Sequence, residues 1–99
     1  MEQINANILL TRLQKGEVLN LLDVREKIEY HTYNIGGKNV PLSVFMKNIN
    51  GLGYNKTDEI IVICQAGLRS ETAQSILLEN GYENVINLTG GLIALNKLQ

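Results

Sequence analysis

The sequence predicts an α/β fold: a mainly parallel central sheet of about five strands with helices on both faces, three layers in all. Two observations carry this reading. Short runs dense in Val, Ile and Leu alternate along the chain with stretches of helical spacing, and Gly, Asn or Pro punctuates the changes. The length of 99 residues suits one domain, residues 1–99, in which most apolar positions are needed for packing.

The elements follow in order. Apolar residues at 6, 9, 10 and 13 have the spacing of a helix, closed by Lys15 and Gly16. "VLNLLDV" (18–24) is dense in Val and Leu and is expected to be a buried strand ending near Asp23. "REKIEYHT" is charged and holds one or two helical turns. A short strand around Asn39 and Val40 must stop at Pro41, which has no N–H to give to a ladder. Apolar residues at 42, 45, 46 and 49 mark a third short helix, stopped by Gly51 and Gly53. "IIVIC" (60–64) is the strongest strand signal in the chain. "LRSETAQSILLENGY" is helical up to the Asn80-Gly81 terminator, "ENVINL" is a further strand, and "GGLIALNKLQ" a closing helix.

Composition narrows the function classes. Nine Lys and Arg face ten Asp and Glu, and no segment collects basic residues, so the electrostatic footprint of a nucleic-acid binder is missing. The longest wholly apolar run is far shorter than the roughly 20 residues that span a bilayer, and "MEQINANILLTRLQ" does not read as a signal peptide. The single Cys excludes an internal disulfide framework and fits a reducing, cytoplasmic compartment.

That Cys is where the chemistry concentrates. In "IIVICQAGLRS", Cys64 stands where a buried strand stops and a helix begins. Open α/β sheets bind ligands beyond the carboxyl ends of their strands. The first N–H groups of a helix lack intrahelical partners, and its dipole is positive there. A thiolate at such a place is favoured, so its pKa is expected below the free value of about 8.5. Gln65, Ala66, Gly67 and Leu68 contain no β-branched residue, and Gly67 can adopt positive φ, so successive amides can curl inward as an anion nest. Arg69, in the first helical turn, opposes the dipole unless its guanidinium folds back toward an anion above Cys64. A lone Cys ending an apolar run is also what a small buried core residue looks like, and the residues on their own leave both readings open.

Three stretches together resemble the rhodanese (thiosulfate sulfurtransferase) family over nearly the whole chain. "LLDVREKIEYHTYNIGGKNVPL" is similar to its first signature, "VICQAGLRSETAQ" to its Cys-x-x-Gly-x-Arg-Ser active loop, and "GYENVINLTGG" to its last strand and Gly-Gly turn. The resemblance implies a rhodanese-like fold of one domain, no cofactor and no metal. It implies that Cys64 takes the outer sulfur of a small anionic donor such as thiosulfate, holds it as a persulfide and passes it to a thiophilic acceptor: cyanide, thioredoxin, glutathione or another protein. The amides of residues 65 to 69 would cradle the terminal sulfur, and Arg69 would orient the donor. Asp23 and Arg25 match the family's Asp-Val-Arg pair and are expected beside the loop, with Asp23 accepting a hydrogen bond from Arg69. The plainer alternative makes Asp23 a strand-end cap and Arg25 a surface charge.

Two competitors differ in identifiable ways. A non-catalytic interaction module of the same fold usually loses the Cys, which this chain keeps. Cys-dependent phosphatases and arsenate reductases place five residues between Cys and Arg. Here there are four, 65 to 68, which shortens the cradle by up to about 3.5 Å and crowds a phosphoryl group. The chain departs from the family at Asn34, where His is common, and at Leu95, where an aromatic is common. Asn34 cannot carry a proton at neutral pH. His31 is expected at a helix end, and Leu68 and Tyr33 can form an apolar rim for an acceptor.

Overall fold

The computed structural model describes residues Met1–Gln99. The strands are β1 (Glu2–Ile4), β2 (Leu21–Asp23), β3 (Lys38–Asn39), β4 (Glu59–Ile63) and β5 (Asn84–Leu88). The helices are α1 (Ala6–Gln14), α2 (Lys27–Thr32), α3 (Phe45–Asn48), α4 (Leu68–Glu79) and α5 (Gly91–Asn96), with 3₁₀ turns Leu42–Val44 and Ile49–Gly51 flanking α3. All five strands are parallel in the order β1-β5-β4-β2-β3, as the α/β reading requires.

Alternation along the strands divides the core into two layers. Leu22, Ile60, Val62 and Val85 face α3, the 3₁₀ turn after it and α4, where they meet Phe45, Ile49, Ala73 and Leu77. Leu21, Ile61, Ile63, Ile86 and Leu88 face the other way, against Leu9 of α1 and Leu92 and Leu95 of α5. Leu95 is fully buried there, so its departure from the family pattern falls on packing. β4 is central, and Ile60 to Ile63 are wholly buried on both faces. No helix is long and apolar enough to cross a membrane.

The structure corrects the sequence reading in three places. β1 was not expected: three residues with only Ile4 buried give no usable periodicity, and backbone pairing to β5 creates the strand. The strand expected over 18–24 is confined to Leu21–Asp23, with Val18 fully exposed. Gly16 at φ 81 ends α1, and the residues after it are used to bring the chain back to the sheet. The helix expected over 42–49 is one α-turn between two 3₁₀ turns.

Candidate active site

Cys64 follows β4 directly and is 1% exposed. Gly67, at φ 94, is the N-cap of α4 and has no side chain to accept the N–H groups of the first turn. The sulfur takes that office. Sγ accepts from the Gly67 amide at 3.1 Å and from the Ser70 amide at 3.3 Å, and the Ser70 hydroxyl lies 3.3 Å away. Ser70 is the third residue of α4, whose N–H an N-cap Ser or Asp would ordinarily hold. Burial pushes the Cys64 thiol up, while the Ser70 hydroxyl and the amides of Ser70, Gly67 and Ala66 pull it down. The hydrogen bonds outweigh burial, and the thiol lies below its ordinary value.

The amides point inward because the carbonyls are held outward. Leu92 and Ile93, at the start of α5, donate to the carbonyls of Cys64 and Gln65 at 3.0 and 3.1 Å. Asn87, buried on β5, donates through Nδ2 to the Gly67 carbonyl at 3.2 Å. This approach needs Gly91: a Cβ there would stand 2.5 Å from the carbonyl oxygens of both Cys64 and Gln65.

Arg69 does not reach Asp23, contrary to expectation. Its guanidinium meets Glu29 of α2 end-on, Nη1 to Oε1 at 2.6 Å and Nη2 to Oε2 at 2.9 Å. The Arg69 guanidinium holds the Glu29 carboxyl at about 2; burial opposes this, and the Glu26 amide adds to it. The Asp23 carboxylate is taken by Arg25, which donates from Nε at 3.0 Å, from Nη2 at 2.8 Å and from its own backbone amide at 3.0 Å. Both side chains are buried, so Arg25 is not a surface charge. Arg25 also donates to the carbonyls of Glu29 and Tyr33, at 3.4 and 2.7 Å. Thus Asp23 fixes Arg25, Arg25 fixes α2, and α2 presents Glu29 to Arg69. The buried ion pair positions a helix and does not touch the sulfur.

The structure brings Cys64, Gly67 and Arg69 to one edge, together with Gln65, Ala66 and Leu68 between them. Leu68 and Tyr33 are exposed. His31 lies in the last turn of α2, exposed. Asn34 serves locally, donating to the Tyr30 carbonyl and accepting from the Gly36 amide. A cleft of about 470 Å³ opens beside the loop, with Arg25, Glu29, Tyr33 and Gln65 among its walls. Sequence reasoning missed Ser70, Glu29, Asn87 and Gly91. Ser70 was findable as the third residue of a helix whose cap is Gly; Glu29 shares a Glu-x-x-Glu spacing with Glu26, typical of a helix start.

Residues 5–97 match the family model for the rhodanese-like domain. The putative sulfur carrier protein YrkF of Bacillus subtilis is 37% identical over 91 residues, which are 91% of this chain and 48% of that protein. The probable adenylyltransferase/sulfurtransferase MoeZ of Mycobacterium tuberculosis is 29% identical over 86% of this chain and 22% of its own length. The chain therefore spans half or less of these relatives. A rhodanese-like domain protein from Staphylococcus aureus superposes with a TM-score of 0.85 at 27% identity, covering 96% of this chain and 91% of that one. The human single-domain sulfurtransferase TSTD1 superposes at 0.82 and 22% identity, over 100% and 98%, a likeness of fold alone. With the Cys-x-x-Gly-x-Arg-Ser turn seated at the end of the central strand and the match running almost from end to end, this chain belongs to the rhodanese-like domain family.

Proposed function

We propose that this domain transfers sulfane sulfur through a persulfide on Cys64. The observation that supports it is the sulfur itself, ringed by the amides of Gly67 and Ser70 and the Ser70 hydroxyl. An inert core thiol needs no such donors, whereas a thiolate attacking sulfur needs its charge held. The Cys64 thiolate attacks the outer sulfur of the donor. A new S–S bond forms, the donor's S–S bond breaks, and its electron pair leaves with the donor remnant: sulfite from thiosulfate, a thiolate from an organic persulfide. An acceptor thiolate then attacks the terminal sulfur, and the pair returns to Cys64. Asp23 and Arg25 act at a distance, as positioning residues for α2.

The acceptor is a thiol, small or protein-borne, meeting the loop beside exposed Leu68 and Tyr33. The relatives whose names refer to sulfur carriage and sulfurtransfer support this class of chemistry. Intact-protein mass spectrometry after incubation with a sulfane donor tests it. One added sulfur is expected on the wild-type chain and none on Cys64→Ser. Equal transfer to cyanide by the two proteins would leave Cys64 with no part in catalysis.

A further inference from the structure

Granting that reading, the charges around the loop say which donors it favours. Arg69 is the cation beside the cradle, and one N–H of each terminal nitrogen of its fork is already engaged by an oxygen of Glu29. Arg25, the other cation at the cleft, is spent on Asp23. With the sulfur ionised, Asp23, Glu29 and Cys64 set three anions against two cations. The loop amides offset one negative charge on sulfur, and each of these two arginines already has a carboxylate partner. The cleft beside Gln65 is of the size that accepts a small organic group, and Glu29 forms part of its wall.

We propose that Glu29 is a donor-selecting residue: by holding the Arg69 guanidinium end-on, it disfavours dianionic donors such as thiosulfate and favours organic sulfane donors with one negative charge at the reacting end, thiosulfonates and persulfides. A thiosulfate sulfonate must compete with a tethered carboxylate for Arg69 and approach that carboxylate as a like charge. An organic donor has fewer charged oxygens next to the sulfur it gives up, and it has an organic part for the cleft. Glu29 keeps its charge throughout the neutral range, so the discrimination does not fade near pH 7. With any of these donors the step is the one given above: one S–S bond forms on Cys64, and one breaks with its pair on the leaving group.

The experiment measures kcat and KM of the full chain with thiosulfate, methanethiosulfonate and glutathione persulfide, beside Glu29→Gln. Gln keeps a side-chain acceptor for the Glu26 amide, so the start of α2 is preserved. Wild type is expected to use methanethiosulfonate with the higher kcat/KM. Glu29→Gln is expected to raise thiosulfate kcat/KM relative to each organic donor by about fivefold, the free energy of a partly exposed ion pair, mostly through KM. Three results overturn the proposal. They are a wild type that prefers thiosulfate, which needs no variant to fold, a ratio that Glu29→Gln leaves unchanged or lowers, and a ratio that moves for one organic donor only. If Cys64 gains sulfur yet the ratio stays put, only the role of Glu29 falls; if no donor adds sulfur, the sulfur-transfer reading falls with it.

Discussion

Two strand-to-helix turns lie side by side at the carboxyl edge of the sheet, one between β4 and α4, the other between β5 and α5. Both end in a glycine N-cap at positive φ, Gly67 at 94° and Gly90 at 77°, and neither has a side chain capping its helix. Both therefore present unpaired first-turn amides. In the first turn those amides converge on Cys64 Sγ. In the second they converge on the carbonyls of the first turn, through Leu92 and Ile93. The same local chemistry thus yields a site in one place and its buttress in the other. What separates them is the acceptor each turn meets, and a carbonyl that is held by the neighbour cannot swing in to quench the ring around the sulfur.

The largest effect is expected from breaking the buttress. Gly91→Ala puts a Cβ against two backbone carbonyls at 2.5 Å, with φ at 61°. Neither carbonyl can move without opening the loop. The cost is about 3 kcal/mol from steric conflict and the left-handed backbone, a fall in Tm of about 10 °C or more for a domain of this size. Gly67→Ala, inside the site turn itself, meets its neighbours only at 3.1 and 3.2 Å and is expected to cost less, about 1–2 kcal/mol. Thermal melts of the two variants check the order. A milder effect at Gly91 would mean that the second turn does not hold the first.

Next comes the Ser70 hydroxyl, which has no counterpart within α5. Ser70→Ala removes the side-chain donor to Sγ and keeps the amide ring. A hydrogen bond to a charged group contributes about 1.5–3 kcal/mol, and the remaining donors and a more basic, more nucleophilic sulfur absorb part of its loss. Iodoacetamide should alkylate the variant about three- to tenfold more slowly at pH 7, with the rate rising at higher pH than in wild type. An unchanged profile would show that the amides alone hold the thiolate.

The two turns were unequally legible in the sequence. "IIVICQAGLRS" announced the strand end, the glycine and the helix, because each of these is a local preference. Gly90-Gly91 was legible as a turn but not as a support, since the carbonyls that Gly91 must clear are 26 and 27 residues earlier. Arg69 was legible as a cation, yet its partner Glu29 is 40 residues away, and the expectation of Asp23 as its acceptor came from the family resemblance. β1 was invisible because pairing with β5, rather than side-chain pattern, makes it a strand. Asn87 carried a signal that went unread: an amide on the buried face of an apolar strand must bond something, and here it bonds Gln3 and the loop carbonyl of Gly67.

The smallest effect separates the charge frame from both turns. Glu29 is held at about 2 in the folded chain, against about 4.5 when free, chiefly by the hydrogen bonds from Arg69. Between these values the unfolded chain binds the extra proton, so stability falls as pH falls. The contribution is whole above about pH 4.5 and is lost as pH drops through about 2. Because the Glu29 and Arg69 side chains are 32% and 37% exposed, solvent screens the pair, and the loss is held to about 1 kcal/mol or less. Tm measured across that window should fall less steeply for Glu29→Gln than for wild type, while iodoacetamide reactivity near neutral pH stays close to wild type. A large change in Cys64 reactivity would place Glu29 inside the machinery that ionises the sulfur. That would contradict a structure in which backbone amides and Ser70 carry that task and the ion pairs arrange only what approaches from outside.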